Sequence, residues 1–424
     1  MNRKRSDTRL IAIQAFVLIA FGTAYVISGS PNRKIVHEQI LKQTSSVDVP
    51  IEREFPNRIS PLYDRPDWVS DEELASVLER IVPRFGREQM KPNFIEHALR
   101  TWSVRAEFQD PEALSGQDML LFLTDHNAFL ESWGKSIRPL LEEKPSGVRI
   151  RWGADKCASY HHDHLLASLT EAGVSIDTPV YGPSRRGDTI RDVIQEALYD
   201  FRLDEREVEW TSMAFGLWIP PVRSWEGGDG REYSFDLIAK RLMRGHKRYG
   251  VCSGTHRVYS LVLLLRIDEE TEILSEPTRN DVWQFLSRTR DMLIASQFED
   301  GSWPSNWPDG ETAVVDPLDE PIYQKIISTG HHLEWQSIAP KELLLSDDQL
   351  QRAVDWIIRT TLDMSDEQIA TRYTFFTHVG SALANWRNVP PDEFWKEWEI
   401  EHPYVPEASA TEPLQESDSS GILN

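Results

Sequence analysis

Five segments of the 424-residue chain place histidine or a carboxylate at the head of an otherwise apolar run. They are CASYHHDHLLASL with His161, His162 and His164; EWTSMAFGLW with Glu209; CSGTHRVYSLVLLL with His256; STGHHLEW with His331, His332 and Glu334; and YTFFTHVGSALANW with His378. A neutral imidazole beside a carboxylate exchanges protons near neutral pH, the basis of general acid–base catalysis. His331 and Glu334, three apart, share a helix face. The expected catalytic set is therefore His331, Glu334, His256, His378 and Glu209, with Tyr160, His161, His332 and Trp303 around the ligand. Counting His126, eight of the 12 histidines would gather near one rim if these helices run parallel. The plainer account is that a histidine at a helix start caps it or fills a polar seam.

The same segments carry a metal alternative. Cys157 and His161 are four apart, and Cys252 and His256 repeat the spacing. On a helix, such pairs lie on one face, and zinc accepts thiolate and imidazole in tetrahedral sets. Two facing pairs would hold zinc. The rival reading is two buried cysteines acting as small hydrophobes.

The elements that must position these residues are helical almost throughout. Ser70 with Glu73, Asn93 with Glu96, and Ser346 with Gln349 have capping-box spacing ahead of apolar positions three and four apart. Strand-like alternation is scarce, GVRIRW being the best case. Amphipathic helices expected at 93–102, 135–142, 188–201, 234–245, 279–297 and 346–363 alternate with more apolar ones at 115–125, 157–171, 208–218, 252–265, 327–338 and 372–386. A helix apolar all round is a buried one. Six outer and inner pairs predict an all-α fold, an (α/α)6 toroid.

In QFEDGSWPSNW, Gln297, Gly301 and Trp303 have the Q-x-x-x-G-x-W spacing. This resembles the repeat of squalene and oxidosqualene cyclases, and related turns occur in protein prenyltransferase β-subunits. The resemblance implies a toroid in which Gln297 ties a helix end, Asp300-Gly301 turns the chain and Trp303 covers the turn. The Asp-rich D-x-D-D acid motif of the cyclases is absent, so the likeness carries architecture rather than chemistry. A shorter stretch, Gly330-His331-x-x-Glu334, resembles the N-acylglucosamine 2-epimerase family, also a six-pair toroid. That likeness implies acid–base roles for His331 and Glu334.

Net charge is -22, with 46 basic and 68 acidic residues. That balance argues against nucleic acid, which is bound through Lys and Arg on phosphates. Arg3, Lys4, Arg5 and Arg9 precede residues 10–27, which are uncharged and include Gln14 as the one strongly polar residue. Eighteen such residues just span a hydrocarbon core of ~30 Å. The basic flank stays cytoplasmic. The expected organisation is a single-pass signal-anchor over 1–29, a linker over 30–69, a toroid over 70–403 outside the inner membrane, and a disordered acidic tail over 404–424. Three functions fit: acid–base chemistry on a sugar or glycan, isoprenoid or lipid processing, and non-catalytic binding of a ligand or protein.

Overall fold

The computed structural model describes residues 3–29, 33, 36, 49–244 and 251–406, and they are mostly helical. The first helices are α1 (Arg3–Ile27), α2 (Asp71–Glu79), α3 (Pro92–Trp102), α4 (Gly116–Thr124), α5 (His126–Trp133) and α6 (His164–Glu171). Next come α7 (Ile190–Asp200), α8 (Glu209–Trp218), α9 (Phe235–Arg244), α10 (Thr255–Thr271) and α11 (Glu276–Ser296). The chain ends with α12 (Glu311–Val315), α13 (Ile322–Ile338), α14 (Asp347–Asp363), α15 (Asp366–Thr371), α16 (Tyr373–Trp386) and α17 (Pro391–Glu401).

Six of these helices touch in a cycle. α3 packs on α6, α6 on α8, α8 on α10, α10 on α13, α13 on α16, and α16 closes back on α3. Burial follows their composition: every residue of α8 is buried, as is every residue of α13 from Ile326 on. At the closest approach Gly330 of α13 faces Val379 of α16, where an added Cβ would lie 3.2 Å from the Val379 side chain. Helices α2, α4, α9, α11, α14 and α17 pack against members of the cycle from a second layer. α7 packs on a hairpin of β1 (Leu141–Lys144) and β2 (Gly147–Ile150).

Local signals explain most of these elements. Ser70 and Glu73 form their reciprocal box, and the Ser346 hydroxyl accepts from the Gln349 N–H. GVRIRW supplies β2. Gln297 donates to the Gly301 carbonyl at 2.9 Å and to the Gln349 carbonyl at 2.8 Å, tying the end of α11 to the start of α14. The indole N–H of Trp303 donates to the Leu293 carbonyl at 3.0 Å, and its backbone N–H to the Thr329 hydroxyl. The clasp expected of this turn is in place.

Other expectations fail. No helix covers 135–142, where the chain enters β1. The first pair is inverted: Pro92–Trp102 lies in the cycle and Gly116–Thr124 outside it. α3 starts at Pro92 with Lys91 as its cap, so Asn93 and Glu96 form no box, and Glu96 is fully buried. Of the expected linker, residues 49–69 are a built strap. Asn57 N–H donates to the Leu217 carbonyl, Leu62 N–H to Ser337, Arg65 N–H to Trp386 and the Tyr63 hydroxyl to Ala339. These acceptors are carbonyls at the C-terminal ends of α8, α13 and α16, which have no partner inside their own helices. The strap therefore caps three members of the cycle and buries Val49, Ile51, Trp68 and Val69. Residues 37–48, and all of the expected tail after Pro406, lie outside the described residues.

Among the described residues no helix is long and apolar enough to cross a membrane. The expected span over 10–27 falls within α1, but the side chains of Leu10 and Ala12 are outside the described set.

Candidate functional site

The centre of the cycle holds one large polar or aromatic side chain from each of its six helices: His97 of α3, His164 of α6, Trp210 of α8, His256 of α10, His331 of α13 and His378 of α16. The rings pass contact from one to the next. Centroids are 4.6 Å apart for His97–His164, 4.2 Å for His164–Trp210 and 4.3 Å for Trp210–His256. The path continues at 4.7 Å for His256–His331, 3.9 Å for His331–His378 and 5.4 Å for His378–His97. All six side chains are buried.

Burial holds the imidazoles neutral, because a charge there would lose its hydration. It lowers His97, His164, His256 and His378 well below the usual range and brings His331 to about 4, the last despite the opposing pull of Glu334. Hydrogen bonds set the proton positions. His331 Nδ1 meets the Ile327 carbonyl at 2.7 Å, so it carries the proton and leaves Nε2 bare, 3.0 Å from His256 Nε2. His378 Nδ1 lies 2.9 Å from Glu334 Oε2 and 3.0 Å from the Arg100 guanidinium. It serves one of them at a time, donating to the carboxylate when protonated and accepting from Arg100 when bare. His378 Nε2 has no partner in either case.

Below this layer Arg100 is the hub of an ion-pair network. It pairs with Glu171 at 2.6 Å and Glu334 at 2.8 Å, and the Tyr259 hydroxyl donates to Glu171 at 2.8 Å. These four residues form the deep wall of a cavity of about 630 Å3, which Phe55–Pro61 of the strap roofs. Residues at the C-terminal ends of α3, α6, α8, α13 and α16 line it, so these helices point the same way. The parallel arrangement is as expected, but the opening lies at the helix ends rather than their starts.

Of the expected catalytic residues, His256, His331, Glu334 and His378 come together, and Glu334 is the one that reaches the cavity. Glu209 does not join them. It pairs with Arg257 at 3.2 Å and accepts from the Val208 N–H, a structural role at the head of α8. Among the expected ligand residues, Trp303 is fully buried in the clasp. His332 points away from the centre between Trp303 and Trp307, and accepts from the Trp335 indole at 3.0 Å. Both are core residues. Tyr160 is exposed and packs edge-on to His161, which is paired with Glu207 at 2.5 Å. His126 starts α5, which packs on α4 outside the cycle.

The metal candidates divide. Cys157 is buried against Arg151, which donates to its sulfur at 3.4 Å and to its carbonyl. It precedes the helix, which starts only at His164, so its spacing to His161 places no shared face. Cys157 and Cys252 are unbonded thiols. Among the described residues one set of three metal-ligating side chains converges: Cys252, His256 and His331, whose donor atoms lie within 4.8 Å of one another.

Sequence reasoning missed His97, Arg100, Glu171, Tyr259 and Glu96. Glu96 Oε2 contacts His164 Nδ1 and accepts from the Ser159 hydroxyl at 3.1 Å. Burial raises the Glu96 carboxyl to about 8. The pair therefore keeps one shared proton up to about pH 8 and takes a second only well below the usual histidine range. From about pH 6.5 to 8 the folded pair holds a proton that the unfolded chain has released, so stability should fall by roughly 2 kcal/mol. Below about pH 6.5 the unfolded chain protonates His97, His164, His256, His331, His332 and His378, which burial keeps neutral in the fold, while the folded chain holds only the pair's one proton. Stability should then fall on the acid side several times more steeply than the ~1.4 kcal/mol per pH unit of a single proton. The expected result is a stability maximum near pH 6.5 in urea unfolding. Against the opposing effect of burial, Asp163 and Glu205 raise His162 to about 9, which adds a like alkaline slope, so E96Q should lose about half of it. An alkaline slope unchanged in E96Q would disprove the shared proton.

No protein-family model, curated protein or solved structure matches the chain. What the centre can do follows from its own donors and charges.

Proposed function

We propose that the closed cycle and its second layer are an (α/α)6 toroid, that α1 tethers it to a membrane, and that the cavity takes a sugar or glycan for acid–base chemistry. The observation that carries this reading is the deep wall of the cavity, where Glu171 and Glu334 share one guanidinium beside the Tyr259 hydroxyl. About 630 Å3 falls within the ~300–1,000 Å3 usual for small-molecule sites. Asn57, Ser381 and Asn385 add hydrogen-bonding groups that suit a ring of hydroxyls. An isoprenoid would strand those groups unpaired against its chain. Glu334 is the general base in this proposal, held in place by Arg100 on one oxygen and His378 on the other.

The clasp at Gln297, Gly301 and Trp303 supports the architectural likeness to cyclase and prenyltransferase toroids. The tether is supported by α1 itself. Ile11, Ile13, Phe16, Val17, Leu18, Ile19, Phe21, Val26 and Ile27 leave apolar surface exposed on all its sides, and an apolar helix without a polar face suits lipid. In this reading the basic residues before it stay on the cytoplasmic side and the toroid lies outside.

The test is full-length protein in nanodiscs with a panel of soluble glycans, binding read by saturation-transfer NMR and turnover by mass spectrometry. E334Q should keep glycan binding and lower turnover by ~10²–10⁴-fold, the usual worth of a general base. A polyisoprenoid that binds while no glycan competes, or E334Q turnover equal to the parent, would overturn the reading.

A further inference from the structure

We propose that Cys252, His256 and His331 form a binding site for a divalent metal ion of the zinc class. The three donors come from two neighbouring members of the cycle. Cys252 sits in the turn that opens α10, His256 is in its first turn, and His331 crosses from α13. Their Sγ and Nε2-bearing rings converge within 4.8 Å. A tetrahedral ion with bonds of ~2.0–2.3 Å spaces its ligands at ~3.3–3.8 Å, so small side-chain adjustments bring this set to bonding distance.

Three further features favour an ion over a simple hydrogen-bonded cluster. First, the Ile327 carbonyl holds His331 Nδ1 at 2.7 Å, which fixes the tautomer with Nε2 bare and aimed at His256. Metal-bound histidines are commonly oriented in this way by an acceptor on the far nitrogen. Second, His378 packs on both ligand rings and its buried Nε2 has no partner, although Glu334 lies at its Nδ1. Its nitrogens stand outside the three converging donors, but its ring packs beside them and is backed by a carboxylate. Third, Cys252 and Ser253 are partly exposed whereas the two histidines are sealed, so the thiol is the donor nearest solvent. One thiolate with two imidazoles selects a borderline-soft ion, zinc before magnesium or calcium. On binding, the Cys252 thiol gives its proton to solvent and its sulfur becomes a ligand. The site does not depend on the cavity's ligand, since none of its three donors lines the cavity.

The probe is Co2+ added to the chelator-treated full-length protein, followed by absorption spectroscopy, with Zn2+ as competitor. The expected result is one equivalent of Co2+ showing thiolate-to-cobalt charge transfer and intense tetrahedral bands, both displaced by Zn2+. C252S should lose the charge-transfer band. C252S and H331Q should each weaken Co2+ by more than the ~10–100-fold typical of an outer-shell change. C157S should keep the full spectrum. Circular dichroism on each variant separates lost ligation from lost fold, and if C252S fails to fold, the parent's spectrum decides. A folded parent protein without the charge-transfer band, or a band lost in C157S and kept in C252S, would overturn the site.

Discussion

Replacing Arg100 with Met should destabilise the protein by about 3–5 kcal/mol, the cost typical of removing one partner of a buried ion pair. Arg100 is buried and faces two carboxylates, Glu171 at 2.6 Å and Glu334 at 2.8 Å. The two carboxylates, at 12% and 3% side-chain exposure, would face each other's charge with no cation between them. Burial works against the guanidinium, yet the two partners raise its pKa well above the usual value, so it stays charged at any working pH. The penalty therefore lies in the stranded acids. Neutralising them in R100M/E171Q/E334Q should recover most of the loss, because amides tolerate burial better than unpaired charges. Urea unfolding of the parent, R100M and the triple variant closes the comparison. A cost below about 1 kcal/mol for R100M, the scale of an exposed ion pair, would show that water reaches this wall freely.

The failed and successful expectations differ in what carries the information. The Ser70 box, β2 and the Gln297–Trp303 clasp are set by residues close in the chain, and their residue types reveal them. His256, His331 and His378 converge as expected because each lies among the buried residues of a helix in the cycle. α3 defeats this logic. Its polar residues Glu96, His97 and Arg100 resemble a solvated face, since amphipathic helices normally turn charge outward. Here the centre of the cycle is itself polar, so the charged face turns inward to His164, His378 and Glu334.

The strap was illegible for a different reason. Residues 49–69 are held mainly by backbone donors on helix-end carbonyls, and that pattern has no side-chain signature. Cys157 and Cys252 share a spacing to histidine, but spacing implies a common face only within a helix. The chain around Cys157 is a turn, while the Cys252 segment runs directly into α10.

Gly301→Ala should be among the costliest single-methyl additions in the protein, about 3 kcal/mol or more. Two terms contribute. Gly301 has φ +97°, a conformation that strains alanine by ~1–3 kcal/mol. The new Cβ would also lie 2.3 Å from the Arg352 carbonyl oxygen and 2.9 Å from the Ala353 nitrogen, both backbone atoms of α14 that have no rotamer to change. Relief requires the turn to lift from α14, which breaks the Gln297 bond to Gln349 and shifts Trp303 off the Leu293 carbonyl. Gly173→Ala is the control. Its φ of +77° carries the strain, but its Cβ would meet nothing within 4 Å, so a cost of about 1 kcal/mol is expected there. Comparing the two by chemical denaturation isolates the steric term. If G301A falls within about 1 kcal/mol of G173A, α14 yields at Arg352 and the clasp is not a rigid joint between α11 and α14.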